Sequence, residues 1–196
     1  MSRTAVTTIV FLAAALAAAT APAATWRIGQ GSEVVFTSKA PMESFDGRTG
    51  QVRGHVTCEP GALVGPLDLR VEVDLASLDT GIGKRNEHMR ERHLQTGKFP
   101  LAVFTARAVT RAAAASLSPG QPVTVTVEGT LDLHGVARQL TVEATVTRGE
   151  DGALRVETAF PVKLSDHAIE RPQFLVMKLA DVQQVRVLLV AAAEAP

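Results

Sequence analysis

Residues 77–104, SLDTGIGKRNEHMRERHLQTGKFPLAVF, hold the end of one strand, a charged helix and the start of another strand. Upstream, Leu67, Leu69, Val71, Val73 and Leu75 alternate with Asp68, Arg70, Glu72 and Asp74, so a strand with one apolar face runs into Ser77. The segment IGKRNEHMRERHL loses that alternation. It contains good helix formers and apolar Ile82, Met89 and Leu94, with Asp79 and Thr80 ahead of it as candidate caps, and this predicts a helix over 82–95. Gly97 and Pro100 end it, and a new strand leads to Phe104. The expected unit is a β-α-β corner.

Outside this corner the chain reads as strands. Val34 and Phe36; Val52, Val56 and Cys58; Val123, Val125, Val127, Leu131 and Leu133; Leu140, Val142, Ala144 and Val146; Leu154, Val156, Phe160, Val162 and Leu164; and Val185, Val187 and Leu189 each define an apolar face at period two. Turn chemistry separates them at Glu59-Pro60-Gly61, Ser118-Pro119-Gly120, His134-Gly135 and Glu150-Asp151-Gly152. The expectation is all-β, about eight antiparallel strands in meander order, with the 82–95 helix as the main interruption and a helical turn over 112–115. No internal repeat is evident.

Strands with one apolar face hide it by closing into a barrel or stacking as a sandwich, and this inventory favours a barrel. A membrane barrel fits poorly. Its outer band needs aromatic girdles, whereas this chain has no Tyr and one Trp, and the polar face of Thr124, Thr126, Glu128, Glu143, Thr145 and Thr147 suits water. The apolar faces therefore point inward, and alternation selects Phe36, Val71, Val73, Phe104, Val125, Val127, Val142 and Phe160 to line the interior. Most inward residues are slim aliphatics. Composition alone leaves two outcomes open, an interior filled by side chains or a lumen for one small ligand.

The first residues read as a leader. Arg3 supplies a positive start, 9–19 is an apolar run too short to span a bilayer, and Ala21-Pro22-Ala23 is a small-residue cleavage site. Residues 1–23 are thus expected to be a signal peptide and 24–196 a single domain, exported to the periplasm of a Gram-negative bacterium and neither lipid-anchored nor membrane-spanning. About 173 residues suffice for a core without disulfides. The single Cys58 makes no internal bridge and is expected to be buried on the face it shares with Val52, Gly54 and Val56. A net charge of zero with scattered Lys and Arg argues against nucleic acid as a partner. Oligomeric state is not legible.

Catalytic and metal patterns are missing. His88 and His93 are five apart, roughly 140° around a helix, so they do not converge as an i, i+4 metal pair would. His55, His134 and His167 are scattered over loops and polar strand positions. Asp68, Glu72 and Asp74 lie on the outward face, no Ser sits in a G-x-S-x-G elbow, and the glycines fall in turns and form no phosphate-binding loop. The expectation is a non-enzyme with no metal and no cofactor. The cluster Asp79, Arg85, Glu87, His88 and Arg90 has two readings, a polar mouth for a headgroup or a network pinning the helix across one barrel end. The pinning network is preferred, because a helical lid needs such pins whatever is bound.

Three blocks resemble the YceI-like family. Ser77, Leu78, Asp79, Thr80 and Gly81, then Arg85, Asn86, His88 and Met89, then Phe99, Pro100 and Phe104, match its central motif, with Asn86 in place of the usual Asp and Met89 in place of the usual Leu. LDLHGVARQLTV (131–142) is similar to its hairpin, and FPVKLSDHAI (160–169) loosely matches a third segment. The resemblance implies a lipocalin-like antiparallel β-barrel holding an isoprenoid lipid, such as a polyprenyl chain or a quinone tail, in its lumen as a carrier or store. The alternative expectation is a solid barrel, structural or stress-related, acting through its surface.

Overall fold

The computed structural model describes residues 23–39, 44–174 and 177–194. The leader expected over 1–23 lies outside the described residues except for Ala23. Among the described residues twelve strands occur: β1 (Ala24–Ile28), β2 (Glu33–Lys39), β3 (Ser44–Thr49), β4 (Val52–Cys58), β5 (Gly65–Asp74), β6 (Leu101–Ala112), β7 (Val123–Leu133), β8 (Val136–Arg148), β9 (Leu154–Lys163), the short β10 (Gln173–Phe174) and β11 (Met177–Lys178), and β12 (Val182–Ala193).

All but β10 and β11 form one antiparallel sheet that closes on itself. Both β1 and β2 pair with β12, Trp26 opposite Ala193 and Val35 opposite Arg186, so they are two halves of one arm kinked at 29–32. In the same way β3 pairs with β2 and β4 with β1, halves of a second arm kinked at Gly50 and Gln51. With each kinked arm taken as one strand, the barrel has eight strands in meander order, and the first closes against β12. The expected all-β, lipocalin-like barrel is therefore what the chain forms.

Local sequence sets the corners. His134 and Gly135 join β7 to β8 as a two-residue turn with φ of 55° and 73°, the left-handed pair that matches the twist of a tight hairpin. Register shifts between β5 and β6 and between β6 and β7 bend the sheet toward closure. At one end, loops 59–64 and 113–121 fold across the barrel, with Leu63 N–H donating to Ala115 O at 2.9 Å and Leu117 N–H to Pro60 O at 2.8 Å. Leu63 and Leu117 are buried there. This extended pairing replaces the helical turn expected over 112–115, whose first residue ends β6 and whose others form a bend.

At the opposite end lies the helix, shorter than the sequence suggests. The segment α1 covers Gly83–His88 and passes into a π turn over Met89–His93, where Leu94 N–H reaches back to Met89 O at 2.8 Å. The widened turn lets both Met89 and Leu94 pack on the buried cluster of Leu75, Leu78, Leu133, Val162 and Ile169. Residue Ile82 occupies the N-cap position with no side-chain cap bond, so neither Asp79 nor Thr80 caps the helix as expected. Among the described residues no helix is long and apolar enough to cross a membrane.

Candidate functional site

The barrel interior is not filled. A cavity of about 960 Å³ runs from the closed base, near Leu63, Leu117 and Leu154, to the helical segment at the other end. Its wall combines the inward faces of nearly every strand. All eight residues selected by alternation, Phe36, Val71, Val73, Phe104, Val125, Val127, Val142 and Phe160, lie in that wall.

Two glycines keep aromatic rings out of the lumen. Phe36 lies directly opposite Gly47 across β2 and β3, and a methyl group at Gly47 would overlap its ring. The Phe104 ring reaches diagonally over Gly129 of β7, which pairs with Ala106, and a methyl group there would overlap the ring as well as the Thr105 carbonyl. Because a glycine leaves the wall bare at that spot, each ring can lie close against the sheet, which leaves the middle of the tube open. Both glycines sit inside strands, contrary to the expectation that glycines mark only turns. Cys58, expected to be buried, is half-buried at the lumen wall, and partial burial pushes its thiol pKa up.

Every basic side chain lining the cavity, Lys84, Arg85, His88 and His93, belongs to the helical segment at the mouth. That segment is fixed by a hydrogen-bond network. Asp79 accepts from Gly81 N–H at 2.8 Å and from Asn86 Nδ2 at 2.7 Å, and these bonds hold its carboxyl below the usual carboxylate range. The Arg85 guanidinium donates to Thr80 Oγ1 and Thr80 O at 2.9 and 2.8 Å and lies over the Phe45 ring, 3.9 Å from its centroid. Arg90 donates to Leu78 O at 2.8 Å. Glu87 pairs with Lys84 at 3.0 Å, while His93 Nδ1 is 3.0 Å from Glu170 O. Asp79, Arg85 and Arg90 thus tie the helix to residues 78–81, which follow β5 and a short turn, and Glu87 and His88 are exposed, His88 at the rim of the cavity.

Two lumen residues escaped the sequence reading. Ser38 and Gln183 are buried polar residues in the wall near the mouth. The signal was present, since Ser38 is two positions beyond Phe36 and Gln183 two before Val185, on the same alternating faces. Leu63 and Leu117, which close the base, sit in loops where no periodicity marks them. No group of three or more His, Cys, Asp or Glu able to hold a metal occurs among the described residues.

A sequence model described as the YceI-like domain matches residues 26–191. The UPF0312 protein YE1254 of Yersinia enterocolitica is 34% identical over 107 residues, 52% of this chain and 51% of that protein, so the match spans about half the length of this curated relative. Among solved structures, a polyisoprenoid binding domain from Saccharophagus degradans superposes with a TM-score of 0.72 at 22% identity, covering 88% of this chain and 100% of that one. BcnA of Burkholderia cenocepacia gives 0.70 at 22% identity, covering 82% and 96%. At such identities the likeness is one of fold.

Proposed function

Because the chain belongs to the YceI-like family, we propose that it is a binding protein whose lumen houses one isoprenoid lipid, a polyprenyl chain or the tail of a prenylated quinone. The cavity of about 960 Å³ with its largely aliphatic wall carries this reading. It is at the upper end of small-molecule sites, which span about 300–1,000 Å³. Such a wall selects a guest by length and girth, because burial and dispersion are non-directional. Each buried CH₂ contributes about 0.8 kcal/mol against an association cost of about 4–15 kcal/mol, so roughly five to twenty buried carbons only offset that cost and tight binding needs a longer chain inside. A filled barrel acting only through its surface, the alternative raised by composition, does not match an interior that keeps this space.

The role is that of a carrier or store without catalysis. The solved Saccharophagus relative is called a polyisoprenoid binding domain, which supports this class of guest. The leader reading of residues 1–23 supports export to the periplasm. Native mass spectrometry of protein purified gently from its own host tests the proposal. A co-purifying lipid of several hundred daltons or more is expected, and a bare polypeptide mass contradicts it.

A further inference from the structure

The lumen carries one polar feature that its own protein leaves unsatisfied. Ser38 is 1% exposed and its Oγ, at the cavity wall, has no hydrogen-bond partner among the described residues. Gln183, 6% exposed, stands on the adjoining strand next to the Thr37–Gln184 pair and also lines the cavity. Its Nε2 donates to Ala180 O at 2.6 Å, and its Oε1 accepts from no described residue. A buried hydroxyl with no partner destabilises a fold, and an apolar residue there would be the better choice for an empty tube. An orphan hydroxyl beside a free amide oxygen fits a guest that completes them.

Resting on the lipid-binding reading above, we infer that Ser38 and Gln183 form a polar anchor for a neutral oxygen group, a hydroxyl or a carbonyl, at the head of the isoprenoid. The Ser38 hydroxyl donates to either group, and Gln183 Oε1 accepts from a hydroxyl. The anchor sits with Phe36, Phe160, Val162 and Val185, in the half of the lumen under the helical segment. The head is therefore held below the mouth while the tail points to the base closed by Leu63 and Leu117. A phosphate is a poor match for this anchor. The charged side chains that line the cavity are all on the helical segment, and neither anchor residue brings a positive charge to pair with a buried anion.

Delipidated protein and its Ser38→Ala variant are titrated with geranylgeraniol, a prenylated quinone, geranylgeranyl phosphate and squalene, a headgroup-free isoprenoid. The variant is expected to bind the alcohol and the quinone roughly tenfold more weakly and squalene unchanged, while its ligand-free melting temperature holds or rises because an unpaired hydroxyl has gone. Gln183→Leu is expected to weaken the alcohol more than the quinone, which separates the two head chemistries. Equal losses for squalene, or no loss for either oxygenated lipid, overturn the anchor while leaving the lumen reading intact. So does a phosphate bound more tightly than the alcohol and indifferent to Ser38→Ala, which assigns the head to the cations of the mouth. Failure of wild-type protein to bind any of the four overturns both readings.

Discussion

Asn86 Oδ1 accepts two hydrogen bonds from Thr80, one from the backbone N–H at 2.8 Å and one from the hydroxyl at 2.7 Å. Its amide nitrogen donates to Asp79. One side chain thus binds helix α1 to the loop between β5 and the helix. The amide makes both kinds of bond at once, where the Asp usual at this position in the family would supply acceptors alone. Asn86→Ala leaves the buried Thr80 N–H without its partner and is expected to cost about 1–3 kcal/mol, read by thermal or urea denaturation. Asn86→Asp keeps the acceptor but faces Asp79 with a second carboxylate, so its deficit is expected to be larger at neutral pH than near pH 4. A deficit independent of pH contradicts the assignment.

Arg85 joins the same network and adds its stack on Phe45. Arg85→Ala is expected to lower the melting temperature by several degrees, given about 2–4 °C per kcal/mol for a chain of this size. Lipid affinity should change less than stability. A variant with unchanged melting and collapsed affinity shows instead that Arg85 serves the ligand.

Gly47 is the bare spot on which the Phe36 ring rests. Gly47→Ala displaces that ring toward the lumen at a modest stability cost, because the atoms in the way belong to the far end of one side chain. A lower affinity for long isoprenoids is expected, measured by competition titration. By contrast Gly54→Ala would meet the Arg70 backbone and requires a φ of 153°, so it should compromise folding itself. Unchanged affinity in a folded Gly47→Ala protein excludes this role for the ring.

Four carboxylates are held below their ordinary range: Glu72 by Arg70 and then Arg53, Asp79 by the Gly81 N–H and then Asn86, Glu87 by Lys84, and Asp181 by the Ser165 hydroxyl. Each has a folded pKa below its unfolded one. Its contribution to stability is therefore present above the usual carboxylate range and is lost as pH falls through the folded value. The melting temperature should hold between about pH 7 and pH 5 and drop below about pH 4. Most of these groups are exposed, so salt should shrink the drop. An Asp79→Asn, Asp181→Asn double variant is expected to be less acid-sensitive, and an unaltered acid profile contradicts it.

Alternation was a faithful guide wherever a strand separates water from the lumen. In β7 the residues Val123, Val125 and Val127 are buried while Thr124 and Glu128 face out, so even the inward side chains could be read from sequence. The kinked arms were harder. The breaks at 29–32 and at Gly50 and Gln51 interrupt the period, and the short segment of Trp26 and Ile28 carries too few residues to show one, although its pairing with β4 and β12 closes the barrel. The π turn at Met89–His93 depends on where Leu94 finds its packing partners, a tertiary demand that helix propensity does not contain. Ser38 and Gln183 were overlooked because a search for apolar periods passes over polar residues on the same face.

The open lumen can be blocked without touching the mouth or the anchor. Ala144 lies in the wall midway along β8, opposite Val125, and Ala144→Trp directs a large side chain into the free space. Binding of a prenylated quinone to the wild-type and blocked proteins, followed by isothermal calorimetry with circular dichroism to confirm the fold, decides the matter. Saturation near one lipid per chain for the wild type and a loss of tenfold or more for the folded variant are predicted. Equal affinity in the two proteins, or no saturable binding by the wild type, contradicts a lipid housed in the barrel.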